Sequence, residues 1–170
     1  MTLLRRIARL RVSIGFVSSI FVLWLAQPTA RSLALGAVVA AIGEAIRVWA
    51  AGHLEKGREV TTSGPYAFTR HPLYLGSVLI GIGLAVASAR AVVAVLVLAY
   101  LGITLTAAIR TEEAHLTEKF GVAYPAYRAG QAGGGVRRFS AARAMRNREY
   151  RAILGLLFVM AVLALKLVDW

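Results

Sequence analysis

Cysteine is absent from all 170 residues. That excludes disulfides, thiolate metal sites and a cysteine nucleophile. Charge is scarce as well: 16% of residues are charged, and 8 acidic side chains face 20 basic ones. The three histidines, His53, His71 and His115, are scattered without zinc-like spacing, so no metal is expected. Gly81-Ile-Gly83 follows no strand and lacks a third glycine, which excludes a dinucleotide fingerprint there. What is abundant is apolar: 58% of the chain is hydrophobic, well above a soluble domain. The length suits one compact domain over residues 1–170. The class expected is an all-α integral membrane protein.

The net charge of +12 has two readings. Aromatic and basic residues do not interleave in the RNA-binding manner, so no nucleic-acid partner is expected. Basic loops beside anionic lipid account for the charge instead. The opening MTLLRRIARLR is basic and precedes an apolar stretch, but no small-residue cleavage site follows. It reads as the lead into a retained first helix.

Spanning helices of about 20 apolar residues are predicted at residues 11–27, 32–51, 73–88, 91–109 and 151–168. Ser88-Ala89-Arg90 alone separates the third from the fourth, which makes them a tight hairpin. Between the fourth and fifth lies a polar region, 110–150, with a short helical piece and then the Gly-rich QAGGGV. Lys and Arg fall unevenly. The N-terminus carries four, residues 52–72 carry three and residues 110–151 carry nine, against Arg31, Arg90 and Lys166 on the other side. Arg47 lies within the second span. The positive-inside rule then puts the N-terminus and both polar loops in the cytoplasm and the C-terminus opposite. A bacterial inner membrane is the expected setting.

Polar residues in or beside such helices need a reason. Glu44 and Arg47 are three apart and share a face; they read as a self-neutralising pair or as the lining of a polar pocket. Ser77, Gly81 and Ala85 repeat every four residues and predict close helix packing. His53 and His115 are expected to sit exposed at the interface. The stretch SGPYAFTRHPLYLG, residues 63–76, is the richest. Ser63-Gly64-Pro65-Tyr66 signals a turn, and Pro72 sits where a helix can begin. That helix start offers an anion site, with Arg70 and His71 just before it and Tyr66 and Tyr74 alongside. Tyrosine and arginine are also ordinary interface anchors.

A second cluster, RTEEAHLTEKFGVAYPAYR at 110–128, adds Glu112, Glu113, Tyr124 and Tyr127. Leu116 and Phe120 give it one apolar helix face, and Gly121 ends the helix. Glu112 and Glu113 read as a solvated helical turn or as site carboxylates. Both clusters flank one helical hairpin on one side of the membrane, so they can converge.

Together, G-P-Y-x-x-x-R-H-P-x-Y-x-G from Gly64 to Gly76 and E-E-x-x-L-x-x-x-F-G-x-x-Y-x-x-Y from Glu112 to Tyr127 resemble the isoprenylcysteine carboxyl methyltransferases. Bacterial and phospholipid-methylating relatives share the pattern. Arg47-Val48-Trp49-Ala50 and Leu54 fit it too, so the resemblance covers about residues 40–128. It implies a membrane enzyme that binds S-adenosyl-L-methionine at its cytoplasmic face without a Rossmann fold. Carried over position by position, Arg70, His71, Pro72, Leu73, Tyr74, Gly76, Glu112, Glu113, Tyr124 and Tyr127 would border the cofactor. Glu113 would also serve catalysis, and Arg110 or Arg47 would hold an anionic acceptor.

The acceptor would be a lipophilic small molecule, a lipid head group or a lipid-anchored carboxylate, entering from the bilayer. After Tyr127 the run AGQAGGGVRRFS lacks the family's Val-Pro and following Pro, which leaves the acceptor open. Two alternatives remain. Sterol-reductase-like NADPH enzymes carry a similar R-H-P-x-Y, but with Asn before the Tyr and Glu after the following Gly, where this chain has Leu73 and Ser77. A non-catalytic carrier or assembly protein would need neither motif.

Overall fold

The computed structural model describes residue 15 and residues 17–131 and 135–167. The N-terminal arginines, part of the Gly-rich run and the end of the last predicted span lie outside the described residues. Eight helical elements follow in order among the described residues. They are α1 (residues 17–25), α2 (Ala30–His53), a 3-10 turn (Gly64–Ala67), α3 (Pro72–Ala87), α4 (Ala91–Phe120), α5 (Ala123–Arg128), α6 (Ala141–Arg146) and α7 (Tyr150–Leu165). No strand occurs among the described residues.

The boundaries have local causes. Thr29 caps α2 reciprocally with Ser32: Ser32 N–H donates to the Thr29 hydroxyl at 3.1 Å, and Thr29 N–H to the Ser32 hydroxyl at 2.9 Å. Pro72 occupies the first turn of α3, where a missing N–H costs nothing. Between α3 and α4 the chain reverses through Ala89 at φ 52°, a left-handed residue without glycine's freedom. The Ser88 hydroxyl braces that turn, donating to Ala85 O at 2.7 Å and accepting from Arg90 N–H at 3.3 Å. α4 runs unbroken for 30 residues to Gly121, so the predicted fourth span and the short helix after it are one rod. Neither glycine nor proline interrupts residues 103–120. The hydroxyls of Thr111 and Thr117 bond back to Ala107 O and Glu113 O at 2.8 Å instead of capping a break.

The tightest seam joins α2 to α3. A Cβ on Gly43 would come within 2.7 Å of Gly76 O, and one on Gly83 within 2.6 Å of Gly36 O. Backbones that close need small residues on both helices. The small-residue face that α3 turns to α2 is therefore Gly76, Gly83 and Ala87; of the expected Ser77, Gly81 and Ala85, Gly81 packs closely on another helix. Gly81 turns toward Leu101 of α4, and Ser77 bonds Arg47.

The helix ends sort into two groups. At the far end, Gln27 N–H donates to Ser88 O at 2.9 Å and Arg90 to the Gln27 side chain at 2.7 Å. The Lys166 amine donates to Ala26 O at 2.6 Å and Leu23 O at 2.8 Å, covering the carbonyls that end α1. Ala26, Ala87 and Leu163 pack beneath as a small core. The near end gathers the α2–α3 linker, the polar tail of α4, α5, α6 and the start of α7.

Five spans were expected, and two helices meet the length test. α2 and α4 are long and apolar enough to cross a membrane. α3 and α7 are apolar with 16 residues each, about 24 Å at 1.5 Å per residue against a hydrocarbon core of about 30 Å. Only 28% of the apolar window in α2 and 22% of that in α4 is buried. A core helix of a soluble protein would be mostly covered. Val38, Ile42, Val95, Leu98 and Ile103 instead face outward, as lipid contact requires.

Candidate active site

The near end encloses a cavity of about 670 Å³. The last turns of α2 provide Arg47, Ala51 and Leu54; the linker provides Glu55, Glu59 and Thr61. Arg70, His71, Pro72, Leu73 and Tyr74 enter from the start of α3. Thr111, Glu112 and His115 come from the tail of α4, and Tyr124 and Tyr127 from α5. Asn147 and Glu149, just before α7, complete the wall.

One carboxylate ties the two sequence clusters together. Glu113 Oε1 lies 3.0 Å from His71 Nε2 and 3.4 Å from Arg70 Nη1, and Oε2 lies 3.9 Å from Arg128 Nη1. The His71 ring stacks on Tyr74 at 5.7 Å between centroids. Glu113 is thus occupied by its own protein and does not line the cavity, whereas its neighbour Glu112 does. Successive helical residues point about 100° apart, so the pair divides into one inward carboxylate and one structural one.

The tyrosines are held as neutral phenols. Tyr127 donates to Tyr66 O at 2.6 Å, linking α5 to the 3-10 turn. Tyr124 is 2% exposed. Burial, reinforced by the nearby Glu113 charge, pushes its hydroxyl up to about 12. Burial also raises Tyr66 and Tyr127. At neutral pH all three offer flat faces and hydroxyls, not bases.

Arg47 closes the cavity toward the helices. Its Nε donates to Glu149 Oε1 at 2.7 Å, and its Nη1 reaches the Ser77 hydroxyl at 2.6 Å and Leu73 O at 3.4 Å. The expected Glu44–Arg47 pair is stretched to 3.9 Å, and both Glu44 oxygens are buried with no hydrogen-bond partner. An acceptor 102 residues away in sequence, the buried Glu149 at the start of α7, takes the hydrogen bond in place of the local carboxylate.

The end of α2 is covered from α6. Asn147 donates to Ala51 O at 2.8 Å and Leu54 O at 2.9 Å, and Arg143 donates to Gly52 O at 2.5 Å. Arg143 Nε also bonds Glu55 at 2.7 Å, and that hydrogen bond, with the surrounding guanidinium charges, holds the Glu55 carboxyl below its usual range. His53 was expected at the interface. It is buried, with Nδ1 2.9 Å from Trp49 O and its ring where a side chain on Gly64 would stand. His115 is exposed, as expected.

The expected site residues thus divide. Arg70, His71, Pro72, Leu73, Tyr74, Glu112, Tyr124, Tyr127 and Arg47 share one cavity wall. Arg110 is exposed and off the wall, because its place on α4 turns it outward. Gly76 is consumed by the α2–α3 seam, and Glu113 by its cations. Sequence reasoning missed Glu149, Asn147 and Glu55. The signal for Glu149 was an arginine inside an apolar helix, which demands a buried anion. Among the described residues no three His, Cys, Asp or Glu side chains gather as a metal ion requires.

Residues 31–123 match the family described as Phospholipid methyltransferase. Of curated proteins, the cobalt-zinc-cadmium resistance protein CzcN of Cupriavidus metallidurans is 40% identical over 90 residues, 51% of this chain and 39% of that protein. The chain therefore spans about two-fifths of that relative's length. No solved structure matches. The family match covers more than half of the chain and takes in the whole first cluster, the carboxylate pair and the hairpin between them. By that match, the chain belongs to the phospholipid methyltransferase family.

Proposed function

We propose that this protein transfers a methyl group from S-adenosyl-L-methionine to a lipophilic acceptor at the cytoplasmic face of a membrane. The observation that carries the reading is the His71–Glu113 contact, which joins the two clusters beside an uncommitted Glu112. The donor set suits the cofactor. Glu112 takes its amino group or ribose hydroxyls. The start of α3 receives its carboxylate, with Arg70 alongside. Tyr74, Tyr124 and Tyr127 present faces to the sulfonium, and Pro72 and Leu73 supply an apolar wall. Bound there, the cofactor supplies an electrophilic methyl group.

The protein's task is then alignment and the exclusion of water. Buried phenols and a self-paired Arg47 serve that task without a covalent intermediate. Arg47 is already bonded to Glu149, Ser77 and a carbonyl, so it acts as a partition and not as a free anchor for an anionic acceptor. The abundance of basic residues at the near end supports a cytoplasmic orientation.

Calorimetry of the purified protein with S-adenosylhomocysteine, beside NADPH, tests the reading. Saturable binding of the homocysteine compound, weakened in Glu112→Gln, is expected. Binding of NADPH alone would transfer the assignment to a reductase. Binding of neither by folded protein would make it a carrier or assembly protein.

A further inference from the structure

Behind Arg47 and Glu149 an open groove of about 550 Å³ runs between α2 and α7. Ala41, Ala45 and Val48 face Ile153, Leu156 and Leu157 across it, and Glu44, Trp49 and Phe139 complete its lining. The opposite side of α7 carries a different pattern. Arg151, Leu154, Phe158, Ala161 and Leu165 recur at helical spacing, and all are exposed. One guanidinium thus heads an outward apolar stripe. From Arg151 to Leu165 the stripe runs about 21 Å, against roughly 15 Å for one hydrocarbon leaflet. It is long enough to line an acyl chain.

The chain at the head of the stripe has more charge than partners. Residues 135–151 hold six arginines, no lysine and one acid, Glu149, which Arg47 occupies. Arg137 pairs with Glu59 at 2.6 Å, and Arg143 and Arg146 share Glu55 at 2.7 and 3.6 Å. Arg138, Arg148 and Arg151 are exposed and have no acidic partner among the described residues. Arg151 lies 6.0 Å from the Tyr150 ring centroid. Arg148 stands out further. Its φ is 62°, a left-handed conformation that glycine adopts more readily. No acid among the described residues offsets that strain by pairing with its guanidinium. Its carbonyl accepts from Arg151 N–H at 3.1 Å, so the backbone holds the two residues together.

Arginine, unlike lysine, presents a planar fork that matches phosphate oxygens. Exposed Met145 and Tyr150 flank the pair, which suits a phosphate at a membrane interface better than one in free solution. The unpaired cations favour a head group of net negative charge over a zwitterionic one. We propose that Arg148 and Arg151 hold the phosphate of an anionic phospholipid whose acyl chain lies along Leu154, Phe158 and Leu165. This lipid sits on the side of α7 away from the groove. It does not depend on the methyltransferase reading and is not the methyl acceptor.

Native mass spectrometry of the detergent-solubilised full chain tests the proposal, with phosphatidylglycerol and phosphatidylcholine of identical acyl chains as probes. Phosphatidylglycerol should bind at least about tenfold more tightly, the scale of one charge-assisted contact. Arg148→Gly should remove most of that preference, while the melting temperature holds or rises because glycine relieves the strain. Arg151→Gln should also diminish the preference, and Phe158→Ser should weaken both lipids alike. Equal affinity for the two lipids in the unaltered protein would overturn the proposal, as would a preference that survives both arginine substitutions. If Arg148→Gly does not fold, Arg151→Gln decides: a diminished preference supports the proposal and an unchanged one defeats it. Glycerophosphate, the same head without a tail, should compete poorly; binding as tight as that of the lipid would overturn the assignment of the stripe.

Discussion

The cavity and the groove share a wall but handle charge in opposite ways. Around the cavity, acids are matched: Glu113 with Arg70, His71 and Arg128, Glu55 with Arg143, Glu59 with Arg137, and Glu149 with Arg47. Glu112 has no described ion pair and lines the cavity; Glu44 borders the groove with both oxygens buried, without a hydrogen bond and 3.9 Å from Arg47. Most acids are spent on holding the fold; of those without a described ion pair, Glu112 lines the cavity and Glu118 stands exposed on α4. The difference also separates two kinds of lining. The cavity presents many polar groups, and the groove is lined almost wholly by apolar side chains.

The sharpest way to break the comparison is to remove the wall. Arg47→Ala leaves Glu149 and Glu44 buried without a cation. Losing one partner of a buried pair costs about 3–5 kcal/mol, enough to prevent folding or to lower the melting temperature severely. Converting both Arg47 and Glu149 to methionine should recover part of that loss, because Glu149 is no longer left unpaired and only Glu44 loses its cation. Thermal unfolding of the three proteins decides the matter. A stable Arg47→Ala protein would mean that the wall carries no charge load.

A smaller effect sharpens the roles of the two adjacent acids. Glu112→Gln should weaken S-adenosylhomocysteine binding about tenfold, near 1.4 kcal/mol, and leave the melting temperature unchanged. Glu113→Gln should weaken binding and also lower the melting temperature, because Arg70, His71 and Arg128 lose their common partner. Identical behaviour of the two variants would erase the distinction between ligand and brace.

That distinction marks the limit of what sequence alone makes legible. Both clusters, their convergence and the helix start at Pro72 are local patterns, and they read correctly. Glu112 and Glu113 are adjacent letters, and only the rotation of α4 assigns them sides. The fourfold spacing of Ser77, Gly81 and Ala85 finds close packing at Gly81 but misses Gly76 and Gly83, which meet α2, because a periodicity of four does not say which neighbour a face meets. The spacing of Glu44 and Arg47 reads as a pair or a pocket lining, and both hold in part: the pair stands at 3.9 Å and Arg47 lines the cavity, but the hydrogen bond of Arg47 Nε goes to Glu149, 102 residues on. The groove is a space between α2 and α7, helices distant in sequence, and no local pattern spells it.

Tyr127→Phe tests the seam between the clusters with a smaller change still. It removes one hydrogen bond to Tyr66 O, worth about 1 kcal/mol. The melting temperature should fall by a few degrees, with cofactor affinity reduced less than in Glu112→Gln. A larger loss of affinity than of stability would move Tyr127 from brace to direct contact.

The smallest effect concerns the segment that borders both spaces, since it gives Phe139 to the groove and Asn147 to the cavity. Arg143 clamps it by bonding Glu55 and the end of α2. The Glu55 carboxyl is held below its ordinary value of 4.5, first by the Arg143 hydrogen bond. A depressed folded-state value means that Glu55 stabilises the protein above the ordinary value, and that this contribution fades as pH falls through the folded one. Melting temperature should therefore decline slightly below pH 4.5 in the unaltered protein. Arg143→Met removes the cause of the shift, so its melting curve should start lower and decline less over the same range. Phe139 would also loosen, while S-adenosylhomocysteine binding barely moves. Parallel pH profiles in the two proteins would show that the clamp acts through packing and not through the Glu55 charge.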